Sequence, residues 1–211
     1  MKPILFIFVI FSFGCNSNDK KIITSGEIIN RTYYSRDLDW KIQIPKNYTV
    51  DTNEQKENSE NRRNKNFKTP KGLRNIPTKL NLITFRKNQD NFFSSSLNSM
   101  DKNNLTYKEL QEGIVESINL TYSSLKHTKH QLETSEIKIG EIIFNRIQIK
   151  VFKKTTGDLI IKQDIYNSLV DNKVFSASIN YNSELEKEIM EKAFFESLES
   201  KKTLGNTVYN K

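Results

Sequence analysis

The sequence predicts an α+β domain, an antiparallel β-sheet covered by two long amphipathic helices. Three observations carry that expectation. Residues 38–44 alternate strictly, with Leu38, Trp40, Ile42 and Ile44 on one side and Asp39, Lys41 and Gln43 on the other, which is the period of a strand with one buried face. Two windows, 107–125 and 183–198, instead repeat apolar residues at three- and four-residue spacing, the period of a helix with one buried stripe. Between those windows lie four further strand-like segments joined by short turns, too short for the crossovers that parallel pairing needs.

The elements follow in order. After residues 38–44, Pro45-Lys46-Asn47 makes a turn, since proline cannot donate to a ladder. From 51 to 79 the apolar content collapses, with Phe67, Leu73 and Ile76 isolated in a run that is acidic first and basic afterwards. With no stripe to bury, this segment is expected to be a mobile polar loop. Residues 80–85 and 92–97 are the next strands, joined through Lys87-Asn88-Gln89-Asp90-Asn91, a cluster of turn formers.

Thr106-Tyr107-Lys108-Glu109 is a capping box, with Leu105 and Leu110 placed as a hydrophobic staple. The helix it opens presents Tyr107, Leu110, Ile114, Ile118, Thr121/Tyr122 and Leu125 on one stripe. Strands are then expected over 134–139, 142–153, 159–170 and 173–181, with turns at Gly140-Glu141, Thr155-Thr156-Gly157-Asp158 and Asp171-Asn172. A second capping box, Ser183-Glu184-Leu185-Glu186, starts a closing helix expected to bury Leu185, Ile189, Ala193/Phe194 and Leu198. Residues 201–211 are expected to be a flexible tail.

The N-terminus has a different character. Met1-Lys2 is followed by an eleven-residue apolar run over 3–13, then Gly14 and the chain's one cysteine, Cys15. The run is too short to span a bilayer, which takes roughly 20 apolar residues, and has the layout of a secretory signal. Ser12-Phe13-Gly14-Cys15 resembles the lipobox of bacterial lipoproteins, in the relaxed form of the Bacteroidota. That resemblance implies cleavage after Gly14, lipidation of Cys15 with palmitate-type chains, and a tether over 15–30 leading to a domain at 31–200. Two or three acyl chains anchor firmly where one would be reversible. With Cys15 acylated, no thiol is left for disulfides or catalysis.

The element order, the opening Trp40-Lys41-Ile42-Gln43-Ile44-Pro45 with Tyr48 after it, and the closing Phe175-x-x-x-Ile179-x-Tyr181 before a helix together resemble the PsbP-like α/β/α-sandwich superfamily, which includes the bacterial DcrB-like lipoproteins. The resemblance covers about residues 31–200. It implies a fold whose members are mostly non-catalytic binders, adaptors or chaperone-like modules.

Constellations for chemistry are sparse. His127, His130 and Glu133 have a spacing that could set metal ligands on a helix, but Lys126 and Lys129 beside them oppose a cation. Ser94-Ser95-Ser96 falls inside a strand, without the Gly-x-Ser-x-Gly elbow of a serine nucleophile. The seven glycines form no phosphate-cradling loop. Glu109/Glu112 and Glu184/Glu188 are expected on solvated helix sides. Trp40, on an alternating strand, is expected in the core. No catalytic residue, metal or cofactor is therefore expected.

The net charge of +8 and pI near 9.4 would raise nucleic acid as a partner in a cytosolic protein. An exported anchor points instead to an envelope or secreted protein, an acidic one among the candidates. The expectation is a lipid-anchored, non-catalytic cell-envelope lipoprotein whose domain binds or scaffolds another protein, on the periplasmic or surface face of the outer membrane. An adaptor, chaperone or immunity-type protein of a secretion or toxin system is the alternative, ahead of a small-ligand carrier or an enzyme.

Overall fold

Alternation and short turns build most of what is seen. A computed structural model of the chain describes residues 20–23, 25–52, 54–55, 58, 79–100 and 106–199. β1 (Lys20–Ile23), β2 (Gly26–Ile29), β3 (Thr32–Ser35) and β4 (Lys41–Gln43) form a small antiparallel sheet in chain order. β5 (Thr49–Val50), β6 (Lys79–Arg86), β7 (Phe92–Ser99), β8 (Thr128–Ile139), β9 (Ile142–Lys153), β10 (Leu159–Val170) and β11 (Lys173–Tyr181) form a second, ordered β5-β6-β7-β11-β10-β9-β8. Helix α1 (Tyr107–Ser123) carries the chain from β7 to the far edge. Three hairpins then walk back until β11 meets β7, with Phe175 opposite Leu97 and Ile179 opposite Phe93. Helix α2 (Glu184–Glu199) follows.

The two faces of the large sheet carry different cores. Phe93, Phe144, Tyr166, Phe175 and Ile179 pack with Met190, Phe194 and Leu198 of α2 and with Tyr33, Trp40 and Ile42 from the small sheet. On the other face Ile147, Ile149 and Val151 pack under Ile118 and Ile114 of α1. The strict alternation of β9 is what feeds both layers. The fold is thus an α+β sandwich with one helix on each face of an antiparallel sheet.

Local backbone chemistry closes the turns. Asp171 and Asn172 sit at φ of 47° and 60°, the two-residue type I′ geometry that favours these short polar residues. Gly140 has φ of +57°, and a Cβ there would lie 2.8 Å from the carbonyl oxygen of Leu198. Glycine therefore lets the last turn of α2 lie against the β8–β9 turn.

Several expectations are corrected. The folded part begins before residue 31: β1 and β2 lie inside the stretch read as a tether, Ser25 and Ile28 are buried, and the hairpin turn at Asn30-Arg31 has positive φ at both residues. The strand read over 38–44 shortens to Lys41–Gln43, because residues 36–39 bend and the Trp40 amide bonds to the Leu38 carbonyl at 2.7 Å. Trp40, Ile42 and Ile44 are nonetheless buried, as the alternation requires. β8 starts at Thr128, six residues early, so His130 lies on a strand.

In α2 the buried row is Glu186, Met190, Phe194, Ser197 and Leu198, and Leu185 is 64% exposed. The helix is rolled because Glu186 turns inward to accept bonds from Tyr48 Oη and Lys87 Nζ. Its carboxylate therefore leaves the capping box half made, with only the Glu186 amide bonding Ser183 Oγ at 3.3 Å. The polar run over 51–79 begins with a buried Asp51 paired to Arg86 through two bonds. Most of residues 53–78, Leu105 of the staple and the tail 201–211 lie outside the described residues.

Candidate binding groove

Two polar clamps hold α1 against the β8–β10 half of the sheet. At its start, Thr106 Oγ1 accepts from the Glu109 amide at 3.3 Å, while Glu109 Oε2 accepts from the Thr106 amide at 2.7 Å. The capping box is complete, and the Thr106 hydroxyl, donating to Glu109 Oε2 at 2.7 Å, together with the Thr106 amide holds the Glu109 carboxyl below the usual carboxylate range. Tyr107 Oη donates to the Asn167 carbonyl at 2.9 Å and accepts from Asn145 Nδ2 at 3.1 Å. Burial pushes its phenol up. Asn167 Nδ2 donates to Gln111 Oε1 at 3.2 Å and Asn167 Oδ1 accepts from Ser176 Oγ at 2.7 Å. Near the other end, His130 Nε2 and Asn119 Oδ1 are 2.9 Å apart, and the Tyr122 ring tilts against His130.

Between these clamps the helix flank and the strands part, leaving an open groove of about 810 Å³, within the size range of ligand clefts. Val115 and Ile147 give it an apolar floor, and Leu120, 43% exposed, stands on its wall. Gln111, Asn119 and Asn145 contribute amides, and Glu112, Glu116 and Glu136 contribute carboxylates. The strand side is formed by Thr134, Ser135 and Glu136 of β8 and by Asn145, Arg146 and Ile147 of β9.

A separate charged cluster lies under α2. Arg146 pairs with Asp164 and with Glu191 at 3.5 Å, and Lys187 stands 3.8 Å from each carboxylate. Tyr166 Oη donates to Glu191 Oε1 at 2.6 Å. Two anions face two cations, so the cluster is self-neutral. Burial, then the Glu191 bond, pushes the Tyr166 phenol far up, and it stays protonated. These committed groups lock α2 to the sheet and leave no free acid, base or nucleophile.

The residues singled out from sequence scatter. Gly14 and Cys15 lie outside the described residues. His127 is in the turn before β8, while His130 and Glu133 sit three apart on one strand and so point to opposite faces. They cannot share an ion, and among the described residues no three His, Cys, Asp or Glu side chains are grouped to hold one. Ser95 points into the core, its Oγ 3.4 Å from the Ile83 carbonyl, between Ser94 and Ser96 on the opposite face. Glu184 pairs with Lys162 at 2.7 Å, and that bond lowers its carboxyl pKa. Of the paired carboxylates, Glu112 alone reaches the groove.

Sequence inspection missed the groove because no motif marks it. One signal was present: Val115 and Leu120 are apolar residues of α1 lying off the buried stripe.

No protein-family model matches the chain, and no curated protein matches it. Among solved structures the chain is similar to the solution structure of cyanobacterial PsbP (CyanoP) from Synechocystis sp. PCC 6803, at 11% identity and a TM-score of 0.48, over 84% of this chain and 91% of that one.

Proposed function

We propose that this chain is a lipid-anchored cell-envelope protein whose single PsbP-like domain binds another protein without catalysing a reaction. The observation that carries the binding role is the groove between α1 and β8, with an apolar floor, an exposed leucine and a carboxylate rim. The anchor rests on the apolar run before Gly14-Cys15.

Both halves can be tested in membranes. Cys15→Ser should abolish metabolic palmitate labelling, and label retained by that variant would end the anchor. A photo-crosslinking amino acid at Leu120 should give a discrete protein adduct, whereas the same group at Leu185, exposed on α2, should not. Equal adducts at both positions, or none at Leu120, would remove the groove as the binding surface.

A further inference from the structure

We infer that the groove takes one extended, basic peptide segment of a partner protein, laid as an added strand along the open edge of β8; this rests on the groove being the binding surface.

Backbone comes first. β8 is a terminal strand of its sheet and bonds only to β9, so among the described residues one of its edges presents unpaired N–H and C=O groups, the template for strand addition. Glu133, Thr134, Ser135 and Glu136 are four consecutive exposed residues, so neither face is covered there. The groove opens beside this stretch, with one flank of α1 as its opposite wall and Asn145, Arg146 and Ile147 of β9 at its back.

Charge selects the occupant. The chain carries a net +8, yet the groove collects Glu112, Glu116 and Glu136 against one lining cation, Arg146, which Asp164 and Glu191 already pair. Glu112 makes only a 4.0 Å contact with Lys108 in which both side chains are mostly exposed. Glu116 and Glu136 have no salt-bridge partner among the described residues. The basic excess as a whole favours an acidic partner; this groove is where the protein reverses that preference.

Spacing matches too. Glu112 and Glu116 are one i,i+4 step apart, about 6 Å along the helix axis. Every second residue of an extended strand repeats at about 6.6–6.8 Å. A peptide with lysine or arginine at alternate positions can therefore meet successive carboxylates on the helix while its backbone bonds to β8.

The test uses the full-length protein in neutral detergent and fluorescent octapeptides, acetylated and amidated. An alternating lysine–valine peptide should bind, and its affinity should fall at least tenfold when lysines become glutamates. N-methylation of the amides on one edge should also cost at least tenfold. The triple variant E112Q/E116Q/E136Q should weaken the lysine peptide at least tenfold and flatten its salt dependence. Its three changes lie on the groove rim, and thermal melting checks that the variant folds. Equal binding of lysine and glutamate peptides, or undiminished binding by the triple variant, overturns the basic occupant. Undiminished binding of the N-methylated peptide overturns strand addition. A Leu120 adduct surviving alongside any of these would leave the groove as a binding surface and remove only this occupant.

Discussion

Trp40 Nε1 donates to Ser197 Oγ at 2.9 Å, joining residues 157 positions apart and tying the strand region of the small sheet to the last turns of α2. The indole is also edge-on to Tyr33 and Phe175, at 5.9 and 5.1 Å between centroids. Ser197→Ala would strand a buried N–H donor, a loss of about 1–3 kcal/mol. Trp40→Phe combined with Ser197→Ala should cost less than the two single changes together, because the stranded donor is gone. Denaturant melts of all four proteins measure the coupling, and strict additivity would show that the bond contributes nothing.

Glu186 predicts a pH dependence. Its carboxyl is held below the usual range first by Lys87 and then by the Tyr48 hydroxyl. A carboxylate with a depressed folded-state pKa adds stability above its unfolded value, near 4.3, and loses it as pH falls through the folded one. Glu186→Gln keeps an acceptor for Tyr48 but loses the charge. Lys87 is 43% exposed, so at pH 7 the cost should be at most about 1 kcal/mol. The gap should narrow from pH 6 to pH 3. Glu186→Ala, which strands the Tyr48 hydroxyl, should cost about 1–3 kcal/mol. A gap that widens in acid would contradict the assignment.

The roll of α2 separates two apolar side chains five residues apart. Met190 is fully buried and Leu185 is 64% exposed. Met190→Ala should destabilise by about 2–5 kcal/mol, and Leu185→Ala should stay within about 0.5 kcal/mol. Comparable losses in urea melts would mean that α2 docks on the other face.

Gly26 tolerates no side chain. A Cβ there would stand 2.0 Å from the Tyr34 carbonyl oxygen and 2.7 Å from the Tyr33 ring, so the β2–β3 pairing must move. Gly26→Ala should cost about 1–3 kcal/mol or more through overpacking. Gly157→Ala meets no atom within 4 Å and is strained only by its φ of +77°, about 1–2 kcal/mol. Thermal melts should rank the two in that order.

Elements with a single dominant period were legible in the sequence: β9, β10 and β11 have the bounds expected, and the Thr106–Glu109 box opens α1. The small sheet was legible only at β4, inside the alternation of 38–44; β1–β3 are four residues each, too short for a period to stand out from a polar leader. The roll of α2 was also hidden. Burying Glu186 depends on Tyr48 and Lys87, far away in sequence, and no local pattern reports such a partner. The groove escaped for a related reason: it is made where α1 and the sheet diverge, and divergence is a property of two elements together.

The placement of Trp40 has an experimental consequence. It is the chain's one tryptophan, 2% exposed, and it sits where the small sheet, the large sheet and α2 meet. Its emission is therefore a built-in gauge of that junction, and one optical signal reports whether the three parts come undone together or in sequence. A shift to the red that coincides with loss of helical ellipticity would mark a single cooperative unit. A shift that comes earlier would mark an N-terminal sheet that peels away first.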